Sequence, residues 1–232
     1  MNSSLKNIAY VAMAAAMVGC SRQKEESLDA KLPSAPIMQE EKAVFAPVDI
    51  SALLAQGIKP SQIVSNHGVS YADLSAFVRD AYNSDNLGSG LVEKVPSENW
   101  QMIVDKADMA LKILNDPSLK QSLEQSARSL HSDLYIQKAR GESRLIGKSS
   151  NYDSVHRDLF EAILHAKDDA VRGGYDHNAE ASALRMMESL SYKHGTTKSF
   201  NTVMNEYTAA DQQTLKSRMS AMSSKAKKNY GL

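Results

Sequence analysis

The sequence predicts an all-α protein, a bundle of about six to eight helices behind a disordered N-terminal tether. Three observations carry this expectation. Apolar residues recur at steps of three and four over most of the chain after residue 49. Capping residues and glycines punctuate those runs. No convincing strand pair is visible. At 232 residues and 42% apolar content, the chain can bury a sizeable core.

The first segment runs from Met1 to Cys20. Lys6 gives a short positive start, and Ile8 to Val18 is apolar over the length of a signal h-region, too short to span a bilayer. The stretch ends at Met17-Val18-Gly19-Cys20, and Cys20 is the only cysteine. This resembles the signal and lipobox of bacterial lipoproteins, where a large apolar residue and two small ones precede an invariant cysteine. Val18 and Gly19 fit the pattern; Met17 stands where leucine is usual. The resemblance implies that residues 1–19 are removed. It implies a diacylglycerol on the Cys20 thiol and an acyl chain on its new amino group, so that the partner is a lipid bilayer. Ser21 follows where an aspartate would alter sorting, which implies the outer membrane of a diderm bacterium and a domain facing the periplasm, or one exposed at the cell surface. Such an anchor is firm, because each buried methylene contributes about 0.8 kcal/mol.

Residues 20–48 read as the lipidated cysteine and a flexible linker. Prolines at 33, 36 and 47 and the clusters Lys24-Glu25-Glu26 and Glu40-Glu41-Lys42 leave too little apolar surface to offset the entropy of ordering. As a coil the linker spans roughly 30 Å.

Residues 49–82 read as a tri-helical unit. Asp49 caps a helix over Ile50 to Gln56 that Gly57 ends; Pro60 starts a second that Gly68 stops; Ser70 and Asp73 form a capping pair for a third. The run from Leu53 through Gly57 and Pro60 to His67-Gly68-Val69-Ser70 resembles the helix-turn-helix of recombinases and transposase-like proteins. That resemblance implies that Ser70, Tyr71, Ala72, Asp73 and Ser75 are the positions that read DNA. Yet no Lys or Arg stands between Ser70 and Phe77, and Asp73 would meet the phosphates with negative charge. Nucleic acid is therefore not the expected partner. The balance of 27 basic and 27 acidic residues agrees with this.

Residues 97–232 read as the helical bundle, after a loop from Asn83 to Pro96 with Gly88 and Gly90 as a hinge. Ser97 caps a helix whose Trp100, Ile103, Val104, Ala107, Leu111 and Leu114 face inward. Asn115-Asp116-Pro117 breaks it. Leu119, Leu123, Ala127, Leu130 and Leu134 then run at near-heptad steps in one helix that Arg140-Gly141 ends, and the short link predicts an antiparallel hairpin. Ser143 to Tyr152 reads as loop. Asp153 caps a helix with Val155, Leu159, Ile163, Ala166 and Ala170 inward, closed by Gly173-Gly174. Asn178 caps the next, through Ala183, Met186, Met187 and Leu190 to His194-Gly195. Phe200, Val203, Met204 and Tyr207 form a short helical turn. Thr208 and Asp211 cap a last helix with Leu215, Met219, Met222 and Ala226 inward. Met219 and Met222 suit plain core more than an adaptable groove.

Candidate chemistry is sparse. Glu161, His165, Asp168 and Asp169, with His156 a turn earlier, have spacing that could hold a metal, but a salt-bridged solvated face with Arg157 and Arg172 accounts for them. His177 and His194 flank helix ends, where capping suffices. No metal and no cofactor are expected. Lytic transglycosylases carry a catalytic glutamate followed by serine, and Glu142-Ser143 and Glu188-Ser189 are similar to that dipeptide. Neither precedes the Gly-Leu-Met-Gln-like segment of that family, and Glu142 adjoins Gly141 in an expected loop. Lys216, Arg218, Lys225, Lys227 and Lys228 crowd an acid-free end and either complement a helix dipole or meet an anionic surface. The expectation is a structural or interaction role with envelope proteins, in an envelope or secretion assembly. A peptidoglycan-cleaving enzyme and nucleic-acid binding through residues 49–82 are the alternatives.

Overall fold

A computed structural model describes residues 48–84, 97–146, 151–170, 177–193 and 195–232, except for the side chains at 97, 98, 167–170, 177 and 178. Residues 1–47, with the expected signal, Cys20 and tether, lie outside the described residues. So do the expected hinge loop around Gly88 and Gly90, the stop at Gly173-Gly174, and His194. Contacts divide the chain into Met1–Phe45 and Ala46–Leu232, and every described residue belongs to the second unit.

The fold is all-α. Among the described residues there are eleven helices and no strand. In the first part, local chemistry dictates the breaks. Asp49 accepts the Ala52 N–H at 3.0 Å and caps α1 (Ile50–Ala55), and Gly57 takes φ +81° after it. Pro60 opens α2 (Pro60–His67), and Gly68 closes it in the left-handed region at φ +66°. Ser70 and Asp73 cap α3 (Tyr71–Asn83) reciprocally, each side chain accepting the other's backbone N–H, at 2.9 and 3.1 Å. Leu54, Ile63, Leu74 and Val78 then join one continuous core with Leu111, Leu119, Leu134 and Ile163.

The centre is three helices in antiparallel sequence, α4 (Ser97–Leu114), α6 (His131–Leu145) and α7 (Asp153–Ala170). Direction follows from the contacts. Gly141 lies against Trp100 and Val104, Lys138 reaches Asp108, and Tyr135 reaches Asn115. On the other side Lys138 meets Asp158, and Tyr135 stacks at 5.6 Å on His165. The remaining helices are α8 (His177–Leu190), α9 (Thr196–Met204), α10 (Ala209–Met219) and α11 (Ser224–Tyr230). They close the core through Phe160, Phe200 and Tyr230, whose rings pack edge-on at 5.3 Å and stacked at 4.3 Å. No described helix is long and apolar enough to cross a membrane.

Three expected boundaries move, each for a physical reason. The near-heptad run from Leu119 is not one helix. Turns occupy 117–122, and a short α5 (Gln125–Arg128) precedes α6. Glu124 is extended, and its N–H goes to Ser75 Oγ at 3.0 Å instead of a carbonyl one turn back. The spacing reported which residues face inward, not how the backbone runs. Gly141 does not end a helix: α6 continues to Leu145, and Glu142 is helical rather than in a loop. Gly141 is needed because a Cβ there would stand 2.6 Å from Val104 Cγ2, where α4 comes close. The last expected helix breaks after Met219, and Ser223 caps α11 through the Ala226 N–H. Met219 and Met222 are both core.

Candidate functional site

An open concavity of about 870 Å³ lies between the α1–α2 turn, the end of α4, and the facing sides of α6 and α7. Leu54, Ile58, Leu111 and Tyr135 supply its apolar surface. Charged side chains of α4, α6 and α7 line it as well, with Lys138 at the centre of a cluster of them, and residues 59–61 and 115–118 complete the rim.

The Lys138 ammonium lies 3.4 Å from Asp108, 3.4 Å from Asp158 and 3.9 Å from Glu142. Lys112 adds a second contact to Asp108 at 3.0 Å. Two cations thus face three carboxylates. The Lys138 side chain is only 20% exposed and that of Asp158 only 7%. Burial works against the Lys138 charge, but Asp158, Glu142 and Asp108 outweigh it and raise its pKa. Burial likewise opposes ionisation of Asp108, and Lys112 and Lys138 overcome it and lower its pKa. Asp158 goes the other way. Burial pushes it up to about 8; Lys138 pulls against that and Glu142 adds to it. Asp158 Oδ2 and Glu142 Oε2 are buried acceptors with no hydrogen-bond partner among the described residues, and the proton that burial favours on Asp158 turns one carboxylate oxygen there into a donor. With that proton in place the cluster is neutral.

Beside it lies a second polar network around a recess of about 420 Å³. Tyr207 donates its hydroxyl to Glu161 at 2.7 Å, and His165 Nε2 stands 3.6 Å from the same carboxylate. Arg157 grips Glu206 with two nitrogens, at 2.8–3.0 Å. Asn115 donates to the Tyr135 hydroxyl at 3.0 Å, so its carbonyl accepts from His131 Nε2 at 2.8 Å. The His131 and His165 rings lie 3.8 Å apart. Burial, then the neighbouring His165 and Lys120, lower His131 to about 3.

The residues singled out from sequence scatter. Glu142 joins the ionic cluster through Lys138. Glu188 sits elsewhere and accepts the Ser223 N–H at the start of α11. His156 is in the core, its Nε2 3.3 Å from the Tyr230 hydroxyl, away from Glu161 and His165. The side chains of Asp168, Asp169 and His177 lie outside the described residues. Of the five late cations, Arg218 pairs with Glu180 at 2.6 Å and Lys227 donates to the Ser220 carbonyl at 3.1 Å. Lys225 lies over the Tyr192 ring, and Lys216 and Lys228 are exposed. Among the positions the helix-turn-helix likeness implies, Tyr71 is exposed, Asp73 serves as a cap, and Ser75 is buried against residue 124.

Asp108, Lys138 and Asp158 were missed by sequence reasoning. The signal for Lys138 was there, a lysine set among the apolar Tyr135, Ile136 and Ala139 with an acid four residues on. Compared with models of protein families, with curated proteins and with solved structures, the chain matches none.

Proposed function

We propose that the chain is a bacterial lipoprotein, acylated at Cys20, whose helical domain binds other proteins of the cell envelope as part of an envelope or secretion assembly. One observation carries the reading: the only cysteine stands at the end of the Ile8–Val18 apolar stretch with Gly19 before it. Ser21 favours the outer membrane and a periplasm-facing domain. The concavity beside the Lys138 cluster supports the interaction role. It is broad, partly apolar, and its charges are engaged with one another, which suits docking of a protein segment. The test is intact mass and membrane partition of the protein made in a diderm bacterium, beside Cys20→Ala. A shortened, triacylated, membrane-bound species that the variant lacks is expected. A full-length, unmodified, soluble product would sink the anchor.

A specific observation favours a second reading, murein cleavage. Asp158 lines the concavity and holds a proton near neutral pH, as a general acid must. That reading requires muropeptide release by the purified protein and its loss in Asp158→Asn and Glu142→Gln. Such turnover would also overturn the interaction role.

A further inference from the structure

The fold brings two acid-free stretches of the chain together. No Asp or Glu occurs from 189 to 205 or from 212 to 232. Thr197 donates its hydroxyl to the Asn229 carbonyl at 2.7 Å, and Asn229 donates its side-chain amide to the Ser191 carbonyl at 3.0 Å. These two bonds bring the segment that carries Lys193, its ammonium 5.7 Å from the Tyr152 ring centre, and Lys198 against the helix that carries Lys225 and Lys228. Lys193, Lys198, Lys225 and Lys228 are all exposed. Tyr192 lies among them, 54% exposed, with the Lys225 ammonium 5.0 Å from its ring centre. Glu188, a carboxylate near this face, accepts the Ser223 N–H, and Asp153 follows the Tyr152 that Lys193 covers.

We propose that this face, Lys193, Lys198, Lys225 and Lys228 around Tyr192, docks on an anionic phospholipid bilayer. The chain has no net charge, so attraction must be local, within a Debye length of about 10 Å. The four cations are lysines. A lysine is a flexible point charge that suits a diffuse negative surface, whereas reading of nucleic acid leans on the planar fork of arginine. A half-exposed tyrosine has the amphipathic ring that settles at headgroup level. The proposal goes beyond the lipid anchor and does not rest on it.

The test uses the full chain carrying Cys20→Ala, so that acylation plays no part. Sedimentation is measured with vesicles of phosphatidylglycerol and phosphatidylethanolamine, and with vesicles of phosphatidylcholine alone. Only the difference counts, since the Ile8–Val18 stretch meets both. Each lysine near an anionic leaflet contributes about a fivefold gain in partitioning. Lys193→Gln with Lys225→Gln should therefore lower the anionic preference by about 25-fold. Lys106→Gln with Lys120→Gln removes the same charge elsewhere and should change it little. Far-ultraviolet circular dichroism of each variant reports that the fold is kept. Equal binding to both vesicles, or equal loss from both lysine pairs, would overturn the proposal. So would retention on duplex DNA at a salt concentration where anionic vesicles no longer hold the protein.

Discussion

Removing the ammonium of Lys138 tests the candidate site most directly. Lys138→Met keeps most of the apolar stem and deletes the charge. Three carboxylates lose a partner, but not equally. Asp108 is 40% exposed and keeps Lys112, so its share is small. Asp158 and Glu142, at 7% and 16% exposure, have Lys138 as their cationic partner among the described residues. Breaking a buried pair from one side costs about 3–5 kcal/mol. Asp158 already favours its protonated form, which limits the loss, so about 3 kcal/mol is expected at neutral pH and above. The loss should shrink as pH falls below neutral, where Asp158 holds its proton more fully. Urea unfolding followed by circular dichroism measures it for wild type, Lys138→Met, Asp158→Asn and the double variant. The double variant should lose less than the sum, by about 1 kcal/mol or more, because the two residues share one interaction. A cost below about 1 kcal/mol at every pH, or strict additivity, would refute the account of the cluster.

The pH dependence follows from the buried groups. His131 and His156 are depressed to about 3 and about 4 from 6.5, so the stability they allow above 6.5 is lost as pH falls through that window. Asp158 is raised from 3.8 to about 8, so its contribution is present at low pH and lost as pH rises through about 8. Unfolding free energy should peak near about pH 6.5, and Asp158→Asn should remove the alkaline decline while leaving the acid one; a decline unchanged in that variant would contradict this. Gly141→Ala should destabilise by about 1–3 kcal/mol through its clash with Val104, despite a gain of about 1 kcal/mol in helix propensity. Adding Val104→Ala should recover part of the clash term, and a thermal melt of Gly141→Ala above wild type would argue against the close approach. Glu188→Ala should cost about 1–2 kcal/mol by stripping the acceptor from the Ser223 N–H, with faster hydrogen exchange at that amide and no loss of murein turnover, if any is found.

Local chemistry was legible wherever the cause lies within a few residues. Asp49, Pro60, Gly68, Ser70 and Thr208 mark helix ends in the sequence and do so in the structure. The inward residues were legible too, since periodicity reports burial. What periodicity cannot show is a backbone diverted by a distant partner. Ser75 takes the Glu124 N–H across 49 residues, and that ends the run of Leu119 and Leu123. Gly141 looked like a stop because glycine usually is one; here its lack of a Cβ admits α4. The ionic cluster draws on α4, α6 and α7 at once, and the spacing of Asp108, Lys138 and Asp158 carries no mark of their meeting.

The placement of that cluster bears on the concavity it borders. As a source of stability, a buried ion cluster is a poor choice, because well-packed apolar residues of similar volume often do as well. What it adds is geometry. Apolar side chains tolerate a small rotation or slide of one helix against the next, since their contacts have no direction. Lys138 requires a carboxylate from α4, from α7 and from its own helix within about 4 Å of one nitrogen, which only one relative rotation of the three satisfies. Gly141, one turn further along α6, admits the close approach of α4 there. The walls of the concavity are these same helices, and Asp108, Lys138 and Asp158 are part of its lining. The residues that are costly for folding are therefore also ones that fix the shape of the concavity.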